Sequence, residues 1–497
     1  MMGYQPPPQE NLFYVNIHLE KRVRENHPLR KINELIDFDF IYKEVEDKYG
    51  KNGNVSVPPP IILKLMLLLI LYNVRSEREL METLPERLDW LWFLKYNLDS
   101  EIPHHSILSK ARSKWGEDAF KRFFERIVMQ CVEAGLVDGS KIFIDASLID
   151  ADASNNSVVD THSLKRYLKA SYREFEKRLD GQDIETQSED SSQEGLYSDV
   201  NKRYVSTTDP DASIIRQGGK AKLRYKTHRA VDPLHEVITA VEVTPGAVNE
   251  AHEIFPLIDT HEANTNTHVT TVVADSMYGT IENFLTCYEK GIKAHIPLLK
   301  KTHENKGRKE GIFPEEMFTY DPKTDTMVCP AGKSLQRRTF HKHRNSTEYI
   351  GSKKGCGGCL LKPQCTRNKL GRSVHRHVRK EELDYMFTLA KSPQAKKDIK
   401  TRKHLMERSY ARSTRYNFDR ARWRGLGKVT IREYLVSAIQ NIMALIRYVK
   451  NPPRGVLTGI SIETIKQLSS FNGRYVSLVF SWTLRPKLSF ARSRVWV

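Results

Sequence analysis

The chain has 497 residues, 39% hydrophobic and 28% charged, which excludes a collagen-like, fully disordered or membrane-embedded class. At roughly 100–200 residues per domain it makes two to four domains. Lys and Arg number 79 against 61 Asp and Glu, a net charge of +18, and such an excess calls for a polyanionic partner, either nucleic acid or an anionic membrane surface.

Residues 1–20 are rich in Pro and Gln, with Pro6, Pro7 and Pro8, and read as an extended arm without the apolar core of a signal peptide. From Ile32 to Gly135 the pattern is helical. The most apolar stretch, Ile61 to Val74, carries Lys64 and falls short of the ~20 residues a membrane span needs, so it reads as a core helix. No membrane role is expected, and the chain is expected to be intracellular. A second apolar helix is expected at about 119–134. Between them, His104 to Trp115 carries Lys110 and Arg112. A short basic helix after a turn fits a helix-turn-helix-like DNA reader or, equally, an ordinary surface helix.

The pattern then changes. Lys141 to Ile149 reads KIFIDASLI, a strand with an acid in its middle. Leu223 to Val231 and Glu236 to Val243 are further strands, and Asn249 to His261 is a helix. Val269 to Asp275 reads VTTVVAD, a strand ending in a carboxylate. A helix at about 280–290 and a strand at 293–297 complete an α/β domain with a mixed sheet. Residues 181–200 hold six acids and no Lys or Arg, and read as a mobile linker. Residues 301–380 have the texture of loop. Helices resume near Glu381, break at Pro393 and run through Tyr416. Val429 to Val449 is an amphipathic helix, and 451–497 is a basic tail. The domains are therefore drawn at 1–135, 136–300, 301–380, 381–450 and 451–497.

The charge is concentrated. Lys333 to Lys380 nets +13 and Lys396 to Arg432 nets +10, so the rest of the chain is slightly negative. The second window interleaves Tyr, Phe and Trp with Arg402, Lys403, Arg408, Arg412, Arg415, Arg420 and Arg424. Arg and Lys take phosphates while aromatics stack on bases, so both windows are assigned to a nucleic-acid surface.

A carboxylate inside IFIDASLI needs a hydrogen-bond network, a cation or a metal, because burying it unpaired costs several kcal/mol. Asp275 ends an equally apolar run. Glu407 stands alone in a cationic helix, where it could equally be an ordinary ion-pair partner. Each acid singly is more often structural. Together, three converging carboxylates beside a phosphate-binding face can hold two divalent cations, Mg²⁺ or Mn²⁺, that activate an attacking oxygen and stabilise the leaving one. Cys356 and Cys359 form C-x-x-C, with Cys365 six residues on and Cys329 upstream. That set suits a structural tetrahedral zinc, against the alternative of four reduced thiols in a loop. His341, His343, His375 and His377 are substitute ligands. Cys131 and Cys287 read as core.

Several segments, in order, carry a resemblance: LKLMLLLILYNVRSERELMETL, HHSILSKAR, IDASLIDADAS, DPDAS, YKTHRAVDP, VTPGAVNEAHE, VVADSMYGT, HLMERSYARSTRYNFDRARWRGLGKV and SAIQNIMALIRY. Over residues 58–449 the chain resembles a bacterial insertion-sequence DDE transposase with an InsH-type helical N-terminal domain. The resemblance implies an α/β fold: a ribonuclease-H-like mixed sheet flanked by helices, preceded by an all-α DNA-binding domain and interrupted by a cysteine-rich insertion. It implies a catalytic triad of Asp145, Asp275 and Glu407, with Asp150 and Asp152 as rivals for the first place. His228 and Asp232 are candidates to line the site. Relatives place a DNA-contacting cation before the Glu and a Lys about two turns after it. Here Arg402 or Lys403 precedes Glu407, Thr414 stands seven residues on, and Arg412 or Arg415 must serve. The implied partner is double-stranded DNA, terminal repeats and target, bound by a homodimer or larger assembly. The alternatives are a repurposed transposase that only binds DNA and a metal-dependent nuclease that cuts without joining.

Overall fold

A helix that is apolar on every side has no face to offer water, and α4 (Pro59–Leu71) is placed accordingly. In the computed structural model, which describes residues 2–4, 18–50, 54–160, 201, 203–298 and 311–450, α4 runs through an N-terminal bundle with Leu63, Leu65, Leu68 and Leu69 fully enclosed. Most of the N-terminal arm, the acidic run at 181–200 and the tail at 451–497 lie outside the described residues. The other helices of the bundle are α1 (Leu19–Arg22), α2 (Pro28–Leu35), α3 (Phe40–Val45), α5 (Glu77–Thr83), α6 (Leu88–Leu94) and α7 (Ser106–Glu133). Lys64 enters this core because its Nζ donates to Asn33 Oδ1 at 2.9 Å and to the Phe93 carbonyl at 3.0 Å, and burial pushes its ammonium down to about 8. The basic helix and the helix expected at 119–134 follow one another within the span α7, as two helices that meet at a kink. The kink is at Gly116, whose φ of 73° is one that glycine enters without a side-chain clash.

The alternating and continuous apolar runs that follow build a six-stranded mixed sheet. Its strands are β1 (Lys141–Asp150), β4 (Ser213–Gln217), β5 (Lys220–Asp232), β6 (Val237–Pro245), β7 (Thr271–Val273) and β8 (Lys293–His295). The order is β4-β5-β1-β7-β8, with β6 also paired to β5. A separate pair, β2 (Val158–Asp160) and β3 (Tyr204–Ser206), lies apart from it. β1 is antiparallel to β5 and parallel to β7, which is parallel to β8. The VTTVVAD run is a strand only over its middle three residues, and the helix expected from Asn249 starts at α8 (Ile254–Thr265) after a short 3-10 turn. One sheet face carries Phe143, Val231, Val241 and Val273 into a core shared with the bundle and with α13 (Pro393–Ser413) and α14 (Leu426–Lys450). The other carries Ile142, Ile144, Ala230 and Ala240 against α8, α9 (Ile281–Glu289) and α12 (Lys380–Ala390). Among the described residues one helix, Leu426–Tyr448, is long and apolar enough to cross a membrane, and it is a core helix: Asn441 in its middle bonds both backbone groups of Ile238.

The segment read as loop holds a second sheet, and this corrects the reading of a region without a core. β9 (Thr319–Asp321), β10 (Thr326–Val328), β11 (Ser334–His341), β12 (Ser346–Ile350) and β13 (Ser373–His377) form an antiparallel sheet in that order. Strands β10 to β13 give one side chain each, Met327, Leu335, Tyr349 and Val374, to a small core that Phe318, just before β9, completes. Met327 faces Leu335 and Tyr349 faces Val374 across the ladders. So few apolar positions, scattered among cations, leave no run long enough for alternation to show in the sequence. Two short helices, α10 (Lys353–Gly357) and α11 (Lys362–Cys365), carry Cys356 and Cys365 between β12 and β13, with Cys359 in the link between them.

Candidate catalytic centre

The parallel pairing of β1 and β7 sets Phe143 against Val273. Asp145 stands two residues further on in β1 and Asp275 two residues past the end of β7, which brings the two acids near one another. Asp145 is partly buried, with 24% of its side chain exposed. Burial pushes its carboxyl up to about 6 and the nearby Asp275 pushes the same way, while Arg402 and the Ala146 amide pull it down. Asp275 caps the turn that follows β7, accepting the Met277 amide at 2.8 Å. Two oxygen-donor carboxylates in a partly dehydrated site fit a hard divalent cation.

Helix α13 crosses over this point. Its Ser392 cap and Pro393 at the first turn set its start. Asp398 anchors its beginning, buried and bonded to Lys141 at 3.0 Å and His295 at 2.7 Å. Arg402 lies 3.0 Å from Asp145 Oδ2. Tyr410 donates its hydroxyl to the Asp145 carbonyl at 3.0 Å. Glu407 is on the same helix between those two contacts, but it is exposed. Among the described residues no three His, Cys, Asp or Glu side chains close up tightly enough to hold a metal ion as they stand.

The cysteines are gathered elsewhere. Cys329, Cys356, Cys359 and Cys365, all half-buried, line one cavity of about 300 Å³ at the base of the second sheet. Burial pushes the Cys365 thiol up, and its three cysteine neighbours push it further. The fit to a soft tetrahedral cation is one of donor chemistry. His341 turns instead toward Glu348, at 3.9 Å, with its ring tilted against that of His375. Cys131 and Cys287 are fully buried core residues, as expected.

Residues 17–114 match the family model described as transposase domain (DUF772), and residues 328–446 match that described as transposase DDE domain. Both matches are to transposases, the second to a DDE transposase. The second match includes Glu407 and all four clustered cysteines, whereas Asp145 and Asp275 fall outside both. No curated protein matches the chain. Among solved structures, a piggyBac transposase synaptic complex with hairpin DNA aligns with 91% of this chain and 87% of that one at 9% identity. Its TM-score is 0.25, too low to bear on the fold.

The rivals for the first acid are engaged elsewhere. Asp150 pairs with Lys222 and Arg224, and Asp152 with Arg420 and Arg424. His228 is buried, with Nε2 3.0 Å from Thr244 Oγ1, and burial pushes it down to about 3. Asp232 ties the turn after β5, accepting the Gly139 amide at 2.8 Å and that of Leu234 at 2.8 Å. Neither lines the acid pair.

The cations divide. Lys110, Lys403 and Arg415 are exposed. Arg408 and Arg412 both pair with Glu236. Arg112 corrects the expectation of a DNA-facing side chain. It is buried, paired with Glu77, and its guanidinium lies 3.9 Å from the centre of the Trp423 ring. Alternate helical faces carried no label in a stretch as basic as His104 to Trp115, so the inward position could not be told from the outward one.

Three residues were missed. Arg229 is the register partner of Asp145 and is wholly buried, bonded to Glu433 and Ser413 at 2.8 Å each. It lies 4.8 Å from the centre of the Tyr410 ring. Arg229, Tyr410 and Glu433 thereby fasten α13 and α14 to the face of β1 from which Asp145 projects. Glu433 did carry a signal: it is an acid inside the apolar stripe of α14, as anomalous as Asp145 in its strand.

Proposed function

We propose that this protein is a transposase that cuts DNA strands and joins the freed ends to a target, at a divalent-metal centre built on Asp145, Asp275 and Glu407. What carries the reading is the nearness of Asp145, on β1, to Asp275, two residues past the end of the parallel strand β7, with Arg402 and the Glu407 helix laid across them. The mixed sheet with helices on both faces supports the ribonuclease-H-like reading of this domain. Mg²⁺ or Mn²⁺, when bound, would lower the cost of forming the attacking oxyanion and of releasing the leaving one. Asp145 and Asp275 would hold the ions and Glu407 would close the set. Tyr410 keeps the Asp145 backbone in place, and the buried Arg229–Glu433 pair keeps Tyr410 in place. Lys403, Arg415, Arg420 and Arg424 would take phosphates of double-stranded DNA, with the protein acting as a dimer or larger assembly on the element's ends.

The four cysteines would hold one structural zinc beside the second sheet; their shared cavity supports that assignment. Asp145→Asn, Asp275→Asn and Glu407→Gln should each abolish cleavage of duplex DNA while leaving its binding largely intact. Full strand transfer by any one of them would remove that acid from the triad. Cut but never joined products from the unaltered protein would favour a nuclease instead.

A further inference from the structure

The guanidinium of Arg402 occupies the place where a cation bound to Asp145 would sit. Its Nη1 lies 3.0 Å from Asp145 Oδ2 and 3.4 Å from the Ile144 carbonyl. A divalent ion binds a carboxylate oxygen at about 2.1 Å, so the two cannot share that oxygen without a close cation–cation contact. The guanidinium is also poorly served where it is: the side chain is 11% exposed, and its buried Nε has no hydrogen-bond partner. A planar fork with an idle donor has a better match in a phosphodiester, which it can grip in bidentate fashion. Arg402 faces Asp145 itself, so the phosphodiester that the proposed reaction brings to the acid pair would come within its reach.

We propose that Arg402 is a positioning residue that makes metal binding conditional on DNA: it guards Asp145 in the free protein and is drawn off by a DNA phosphate. This rests on the reading that Asp145 is a metal ligand. Because coupling between two ligands is reciprocal, DNA that removes Arg402 tightens metal binding, and metal that displaces Arg402 tightens DNA binding by the same factor. The free protein is thereby kept from assembling a loaded centre away from its substrate.

The test is Mn²⁺ titration of the full chain without DNA, read by electron paramagnetic resonance of the free ion. Arg402→Gln should bind Mn²⁺ about tenfold or more tightly than the unaltered protein, since a positive charge within a few ångströms of the ion is removed. Arg402→Lys, which keeps the charge, should stay near the unaltered affinity. In a second arm, duplex DNA affinity is compared in Ca²⁺ and in EDTA at matched ionic strength. The unaltered protein should gain affinity with Ca²⁺, and Arg402→Gln should lose most of that gain. If Arg402→Gln binds Mn²⁺ no more tightly while Asp145→Asn abolishes binding, the guard is wrong and the metal reading stands. If Arg402→Gln and its double variant with Asp145→Asn bind Mn²⁺ equally well, the metal reading itself falls, and the guard with it.

Discussion

The two sheets of this protein solve the same problem with unequal means. The mixed sheet is covered on both faces, and its central residues Ile142, Phe143 and Ile144 are at most 2% exposed. With that much apolar burial it tolerates Arg229 and Glu433 inside and a crowded pair of acids at its edge. The second sheet has five core side chains, and in β11 only Leu335 is buried. A sheet this thin lacks the burial that ordering its backbone requires, which is where a cross-linking ion matters most. Buried charge that carries an energetic cost is therefore found on the first sheet, and a cluster of four cysteines on the second.

That contrast breaks first under chelation. Structural zinc contributes on the order of 10 kcal/mol to folding. Removing it, or making Cys356→Ser, should melt residues 319–377 while leaving β1, β5 and β6 intact. Hydrogen exchange resolved by segment checks this: amides of β11 and β12 should exchange at the rate of unfolded chain, with those of β5 unchanged. Protection of β11 and β12 in metal-free protein would mean that the five-residue core suffices.

The converse break belongs to the mixed sheet. Removing one partner of a buried ion pair leaves an uncompensated charge at a cost of roughly 3–5 kcal/mol, whereas replacing both by apolar residues of similar volume is often neutral. Glu433→Gln should therefore lower urea stability strongly, and Arg229→Met with Glu433→Leu should recover much of the loss. The double variant should still misplace Tyr410, so cleavage should stay impaired after stability returns.

How much of this was legible in the sequence follows from which physical signals a linear pattern carries. β1, β6 and α14 were visible because burial writes long apolar runs. Asp145 and Asp275 were visible because each interrupts or ends such a run. The second sheet was not, because its strands bury at most one apolar residue each. Arg229 was hidden among the exposed-looking cations of YKTHRAVDP, and only the register that sets it opposite Asp145 reveals its role. Arg112 shows the same blindness in reverse: a cation in a basic helix looks outward until its Glu77 partner is placed.

A smaller effect separates the edge of the mixed sheet from its centre. Asp145 titrates near 6 in the folded protein, above the ~3.9 of an unfolded aspartate. A carboxyl whose folded pKa is raised is protonated more readily in the folded state, so it opposes folding at neutral pH and ceases to do so as pH falls through 6 toward 4. In metal-free protein, the stability of the unaltered chain relative to Asp145→Asn should fall by on the order of 1–2 kcal/mol between pH 4 and pH 7.5. Urea melts across that range measure it. Mn²⁺ affinity should move the other way, weakening as pH drops below about 6, because the ion needs the ionised acid. A flat difference between the two proteins would place the Asp145 pKa outside this window.

The smallest expected change in stability lies just beyond β1, where Asp152 pairs with Arg420 at 3.1 Å and with Arg424 at 3.4 Å. Both arginines are exposed, so this is a surface cluster, and such pairs contribute about 0–1 kcal/mol. Asp152→Asn should barely move the urea midpoint, in contrast to Glu433→Gln. Its effect should appear on DNA instead. In the proposed function Arg420 and Arg424 take phosphates, and each must first leave Asp152. Freeing both should tighten binding to duplex DNA of any sequence and steepen the log–log salt dependence by roughly one to two units, since each phosphate neutralised adds about 0.9. Fluorescence anisotropy across a salt series reads both quantities. An unchanged slope with unchanged affinity would mean that these two arginines serve Asp152 and not DNA.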